Sequence, residues 1–286
     1  MPKAPYTLSE PAVQTSNVVF ASPHSGRDYP WAFLKKTVLD ERAIRSSEDA
    51  FVDLLFEDAP LYGAPLLAAT APRAFIDLNR SCEELDPALI YEVRKTSHNP
   101  RVTSGLGVIP RVVSNGRAIY TGKLTLAEAR QRLRDHWHPY HDRLQRLLDD
   151  TRSAHGEVIL IDCHSMPHEA IDGMSGGGRG HPQIVIGDRF GAAASQAIVE
   201  RIEAAFANVG LRVARNTPFA GAYTAQHYGR PSRGQHVVQV EIDRSLYMNE
   251  KLVRPSGNFH DFKELIRTVL AEITEIGRQE IPLAAE

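Results

Sequence analysis

The segment EVILIDC, Glu157 to Cys163, followed directly by His164 and Ser165, decides how the rest of the chain is read. A near-continuous apolar run of this length fits a strand whose two faces are both covered by helices. It delivers Asp162, His164 and Ser165 at its end. Upstream lies the strongest helical pattern, Thr125 to Asp150, in which Pro139 implies a boundary or kink near HWHPYH. Downstream the pattern predicts a strand at Gln183 to Ile186, a helix at Phe190 to Asn208 and a strand at Leu211 to Ala214. Towards the N-terminus, Asn17 to Ala21 (NVVFA) reads as a strand running into the loop SPHSGRDYP. Glu41 to Glu57 reads as a helix, with Ser46 or Ser47 able to cap a later start and Pro60 as its stop. LLAAT (Leu66 to Thr70) and AFIDL (Ala74 to Leu78) are strand-like and separated by Pro72.

In HVVQVEID, His236 to Asp243, alternation sets Val238, Val240 and Ile242 on a core face and Gln239, Glu241 and Asp243 on a polar one. Phe262, Leu265, Ile266, Val269, Leu270, Ile273 and Ile276 recur at helical spacing and form a C-terminal amphipathic helix. The alternation of elements makes this an α/β layer fold. No internal repeat or linker divides the 286 residues, so a single domain is expected over 1–286. Asp86 to Gly122, interrupted by Gly and Pro, reads as a loop-rich cover for a functional surface. Gly173 to Gly180 reads as a mobile loop without the GK[ST] ending of a phosphate-binding loop.

Composition narrows the function. With 42% hydrophobic and 24% charged residues the chain is of the ordinary globular kind. Its 33 basic and 35 acidic residues leave a net charge of -2, no reason to expect nucleic acid or an anionic membrane as partner. A small-molecule ligand remains; oligomeric state is not specified. No run approaches the roughly 18 apolar residues of a spanning helix, and the N-terminal residues lack the pattern of a secretory signal. The expected compartment is the cytoplasm, where Cys82 and Cys163 stay as buried structural thiols.

Four polar groups fall where strands end or expose a polar face: His24, Asn79 with Arg80, Asp162 with His164, and Glu241. In open α/β sheets the crevice beyond strand ends is the usual ligand site, so these groups can meet. Glu48 and Asp49 can join them. Two imidazoles and one carboxylate make a catalytic zinc site with a position left for water, and Glu241 is suited to accept the proton of that water. The planar fork of Arg80 suits a substrate carboxylate. His136, His138 and His141 spread around a helix instead of converging, which points to a structural role.

In order, SPHSGRDYP, EDAFVDLLF, FIDLNR, GLGVIP, HWHPYH, LIDCHSMP, NTPFAGAY and VVQVEIDRSLYMNE resemble the N-formylglutamate amidohydrolase family, which is related to zinc carboxypeptidases and aspartoacylases. The resemblance spans about Phe20 to Glu250. It implies a three-layer α/β/α sandwich around a central mixed sheet, one zinc ion, and hydrolysis of N-formyl-L-glutamate to formate and glutamate in histidine breakdown. His24 matches the first metal-binding histidine and His164 the later one. Asp49 fits the metal carboxylate best, with Glu48 and Asp53 as neighbouring choices. Asn79 and Arg80 match the pair that binds the substrate carboxylate, Arg73 lies roughly where an arginine polarises the scissile carbonyl, and Glu241 matches the general base and acid. Two features depart from the pattern: Arg27 stands where carboxypeptidase-type relatives carry a carboxylate ligand, and within NTPFAGAY the small Ala220 and Ala222 differ from the Lys-Gly and Gly-Gly-Tyr patterns of the best-matched members. The alternative readings are the same chemistry on another N-acyl amino acid or short peptide, and a metal-free ligand-binding relative.

Overall fold

The computed structural model describes residues 4–94, 99–174 and 180–278. Numbered along the chain, β1 (Tyr6–Ser9), β2 (Val18–Ser22), β3 (Leu66–Ala69), β4 (Val158–Met166), β5 (Ile184–Gly187), β6 (Val213–Arg215) and β7 (Gln235–Asp243) build one sheet in the order β1-β3-β2-β4-β7-β5-β6. The four inner strands β3, β2, β4 and β7 are parallel, whereas β1 runs antiparallel to β3 and β5 antiparallel to β7. The sheet is therefore mixed. From β2 the chain crosses to β3 on one side and later returns to β4 on the other, so a switch point opens between the ends of β2 and β4.

The helices are α1 (Trp31–Leu34), α2 (Glu41–Arg45), α3 (Val52–Leu55), α4 (Pro100–Thr103), α5 (Leu126–Arg132), α6 (His138–His155), α7 (Gln196–Asn208), α8 (Tyr223–Tyr228) and α9 (Phe259–Thr274). Strand alternation sorts the core into two sides. Ile159, Ile161 and Cys163 of β4 and Val238, Val240 and Ile242 of β7 pack with α3, α7 and α9. Val158 and Leu160 of β4 and Val237 of β7 pack with α5, α6 and α8. The result is the three-layer α/β/α sandwich. On the α6 side the same alternation continues upward as Asp162 and His164 on β4 and Gln239 and Glu241 on β7, so apolar residues give way to polar ones toward the strand ends. Among the described residues no helix is long and apolar enough to cross a membrane.

The helical pattern around Pro139 is interrupted as expected. A capping box of Thr125 and Glu128 starts α5, then Leu133–Trp137 forms a wider turn in which His138 N–H reaches back to Leu133 O. Pro139 has no N–H to continue the tighter ladder. Leu265 of the C-terminal helix is half exposed, while its companions at helical spacing are buried.

Four expectations fail for local reasons. AFIDL is not a strand: β3 already has β1 and β2 as neighbours, and Ala74 to Leu78 instead runs as buried irregular chain held by Asp77 N–H to Val108 O. The helix expected over Glu41 to Glu57 breaks after Arg45, because Asp49 N–H turns back to His24 O and Phe51 adopts φ 66° before α3 begins. Pro60 sits inside a 3-10 turn, Ala59–Tyr62, and does not act as a simple stop. The helix expected from Phe190 starts only at Gln196, since Arg189, Phe190 and Gly191 all have positive φ. The expectation for Gly173 to Gly180 falls largely outside the described residues.

Candidate metal centre

His24 follows β2 in a loop that lies flat on the end of β3. A Cβ added at Gly26 would stand 2.2 Å from Ala71 O, so only glycine permits this approach. His164 is carried by β4, directly across from Glu241 of β7. Asp49 arrives from the break between α2 and α3. The Nδ1 atoms of His24 and His164 stand 3.3 and 2.8 Å from the same Asp49 oxygen, Oδ2. The ligand atoms of these three buried residues all lie within 4.8 Å of one another.

Behind each ring stands another carboxylate. His24 Nε2 donates to Asp77 Oδ1 at 2.7 Å, and His164 Nε2 stands 3.0 Å from Asp162 Oδ2. Such partners fix which ring nitrogen is free to bind a metal. With protons alone, both imidazoles would have to be doubly protonated, with ring centroids 4.8 Å apart, to satisfy four carboxylate contacts. Exchanging the two Nδ1 protons for one divalent cation preserves the total charge and every outer hydrogen bond. The donor set therefore fits a divalent metal. Electrostatics agree: burial alone would raise the Asp49 carboxyl, yet the two histidines hold it well below the usual range, and the neighbouring carboxylates push His164 well above the ordinary imidazole value despite burial.

The other acids considered for this role lie elsewhere. Glu48 accepts from Tyr29 OH at 2.6 Å and from Arg45, and Asp53 pairs with Arg27 at 3.0 Å. That ion pair also accounts for the arginine in HSGR. His141 is structural, with Nδ1 2.8 Å from Tyr228 OH and Nε2 2.9 Å from Leu78 O, and burial drives its pKa down to about 3. Cys163 is buried, whereas Cys82 is only half buried; both are free thiols.

Glu241 is buried, and burial pushes its carboxyl up to about 7. Its Oε1 accepts from Gln239 Nε2 at 2.8 Å. Arg73 Nε donates to Asp77 Oδ2 at 3.0 Å, and its charge lies within range of Asp49 and Glu241. Arg80 is held by Nε to Leu106 O and Nη1 to Asn79 O. Asn79 is buried beside it: Oδ1 accepts from Thr224 N–H at 2.8 Å and Nδ2 faces Asp162 Oδ2 at 3.3 Å. Asp77, Gln239 and Arg244 lie in the motifs quoted above but were given no role there. Arg244 Nη2 meets Asp49 Oδ1 at 3.0 Å, and its signals were its place in VVQVEIDRSLYMNE and a cation directly after the strand end at Asp243.

Imidazoles and a carboxylate arranged for a metal, a glutamate poised near neutrality and a nearby guanidinium can polarise an acyl group and move protons around it. These are the tools of an enzyme that hydrolyses amide bonds. Residues 16–248 match the model of the N-formylglutamate amidohydrolase family, and the chain belongs to that family. It is 29% identical to an N-formylglutamate deformylase of Pseudomonas aeruginosa over 90% of this chain and 91% of that one. The crystal structure of an N-formylglutamate amidohydrolase from Ralstonia eutropha superposes with a TM-score of 0.90 at 33% identity, covering 96% of this chain and 99% of that chain. A gene product of Agrobacterium tumefaciens, 17% identical, shares the fold with a TM-score of 0.63 over 96% of this chain and 97% of that one.

Proposed function

We propose that this chain hydrolyses the formyl amide of N-formyl-L-glutamate to formate and L-glutamate, with one zinc ion held by His24, Asp49 and His164. The observation that carries this reading is the convergence of two imidazole Nδ1 atoms on one buried carboxylate oxygen, each ring backed by a second carboxylate. Family membership supports the choice of substrate. When bound, the ion supplies Lewis acidity toward the acyl oxygen and lowers the pKa of a water molecule.

The chain's own residues supply the rest. Glu241 takes a proton from the attacking water and returns it to the departing amine, a role matched to a carboxyl raised to about 7 by burial. Gln239 holds one oxygen of that carboxylate and leaves the other to handle the proton. Arg73, anchored through Nε by Asp77, offers its terminal nitrogens to the negative charge that develops on the acyl oxygen. Arg80 pairs with a substrate carboxylate through Nη2, the nitrogen not engaged by Leu106 or Asn79. Asn79, whose backbone carbonyl accepts from Arg80 Nη1, joins Arg80 at the substrate carboxylate.

One sheet with a core on each face supports a single catalytic domain, and two free thiols are in keeping with the reducing cytoplasm we propose for an enzyme of histidine breakdown. The test is a panel of N-formyl-L-glutamate, N-acetyl-L-glutamate, N-formyl derivatives of neutral amino acids and short peptides, each followed by release of its free amine. N-formyl-L-glutamate should give the highest kcat/KM; a higher value for a neutral or peptide substrate would refute the assignment.

A further inference from the structure

Asp49 has two oxygens with different surroundings. Oδ2 faces both histidine Nδ1 atoms, whereas Oδ1 accepts from Arg244 Nη2 at 3.0 Å. Arg244 is itself buried and fixed from three further directions: Nε to Ser165 Oγ at 3.1 Å, Nη2 to Ser165 O at 3.4 Å and Nη1 to Ser46 O at 3.3 Å. Ser165 follows His164 on β4, and Ser46 lies three residues before Asp49. The guanidinium thus joins the ends of β4 and β7 to the segment that carries the metal carboxylate.

Building on the metal centre proposed above, the geometry points to Arg244 as a positioning residue that engages one oxygen of Asp49 and presents only the other to the cation. A planar fork with donors in fixed directions suits this task better than a flexible ammonium. The consequence is chemical. A carboxylate that gives both oxygens to a metal fills a position otherwise open to water or substrate, and catalytic metal sites depend on such an open position. The charge on Arg244 also draws electron density from Asp49, so the cation keeps more of its Lewis acidity. Arg244 hydrogen-bonds Asp49, Ser165 and Ser46, and reaches the cation's position through Asp49; its charge also bears on Glu241.

The test uses the full-length chain stripped of metal and saturated with cobalt(II), whose visible absorption weakens and shifts as its coordination number rises. Arg244→Met removes the charge and the donors and frees Oδ1; Arg244→Leu serves the same purpose should the methionine variant not fold, and Arg244→Lys keeps a cationic donor for Oδ1. The native chain and the lysine variant should give the intense spectrum of low coordination, and the neutral variants a weaker, shifted one. A folded, cobalt-saturated neutral variant with the native spectrum, or a lysine variant with the weakened spectrum, would overturn the role of Arg244. A native chain that binds no cobalt would overturn the metal centre itself, and this inference with it.

Discussion

Replacing Asp77 by asparagine changes no volume and removes one charge, yet it disturbs the centre through His24. In the native chain Asp77 Oδ1 accepts from His24 Nε2 at 2.7 Å and from Asn79 N–H at 2.9 Å, while Oδ2 accepts from Arg73 Nε at 3.0 Å. An asparagine has one oxygen for these two sides. If its oxygen faces His24, its NH2 opposes the Arg73 donor. If it turns round, the NH2 faces His24 Nε2, which must then accept, and the ring proton moves to Nδ1, the nitrogen meant for the metal. Either orientation weakens the site. Loss of one hydrogen bond to a charged group costs about 1.5–3 kcal/mol, and loss of an outer partner of a metal-binding histidine typically costs about 10–100-fold in metal affinity, which is about 1.4–2.8 kcal/mol. The two estimates agree. Zinc affinity, measured by competition with a chromophoric chelator on a variant shown to be folded by its thermal melt, should fall by this factor. A folded Asp77→Asn chain with native zinc affinity would refute the reasoning.

Glu241→Gln should lower kcat by about 10²–10⁴-fold, the usual contribution of a positioned proton-transfer group, while metal content by elemental analysis stays unchanged; native turnover in this variant would remove Glu241 from the reaction. The pH profile has a defined sign. The proton-accepting form of Glu241 is the charged one, and burial places its pKa at about 7, so activity should rise with pH. A bound cation favours the charged form further, so the acid limb of kcat/KM should lie at or below about 7; a limb well above that value would contradict the assignment. Arg80→Ala should raise KM for N-formyl-L-glutamate by about 10–100-fold through loss of a charge-assisted hydrogen bond, with zinc affinity unchanged as the control.

Much of this arrangement was legible in the order of residues. The apolar run of β4 and the alternation of β7 could be read directly because strand faces repeat every second residue, and those two strands bring His164 and Glu241 side by side. Pro139 marked the break between α5 and α6 because a missing N–H has no substitute within a helix. What escaped depends on contacts across the fold. AFIDL has the apolar content of a strand, but its residues are buried by packing between loops and helix α5, and its aspartate serves His24 from 53 residues away. The break at Ser46 to Phe51 follows from Asp49 reaching His24, a demand that local helix propensity does not contain. Arg244 is legible only once Asp49 and Ser165 are known to stand beside it. The N-terminal strand β1 is short, lies at the sheet edge and is only half buried, so its pattern is weak.

The most direct measurement follows formate release from N-formyl-L-glutamate by the metal-stripped chain, before and after addition of one equivalent of zinc. The account predicts no release from the stripped chain and full activity on addition of zinc, with one ion retained per chain. Formate release that is undiminished without metal, or a chain that binds zinc at His24, Asp49 and His164 but leaves this substrate intact, would contradict it.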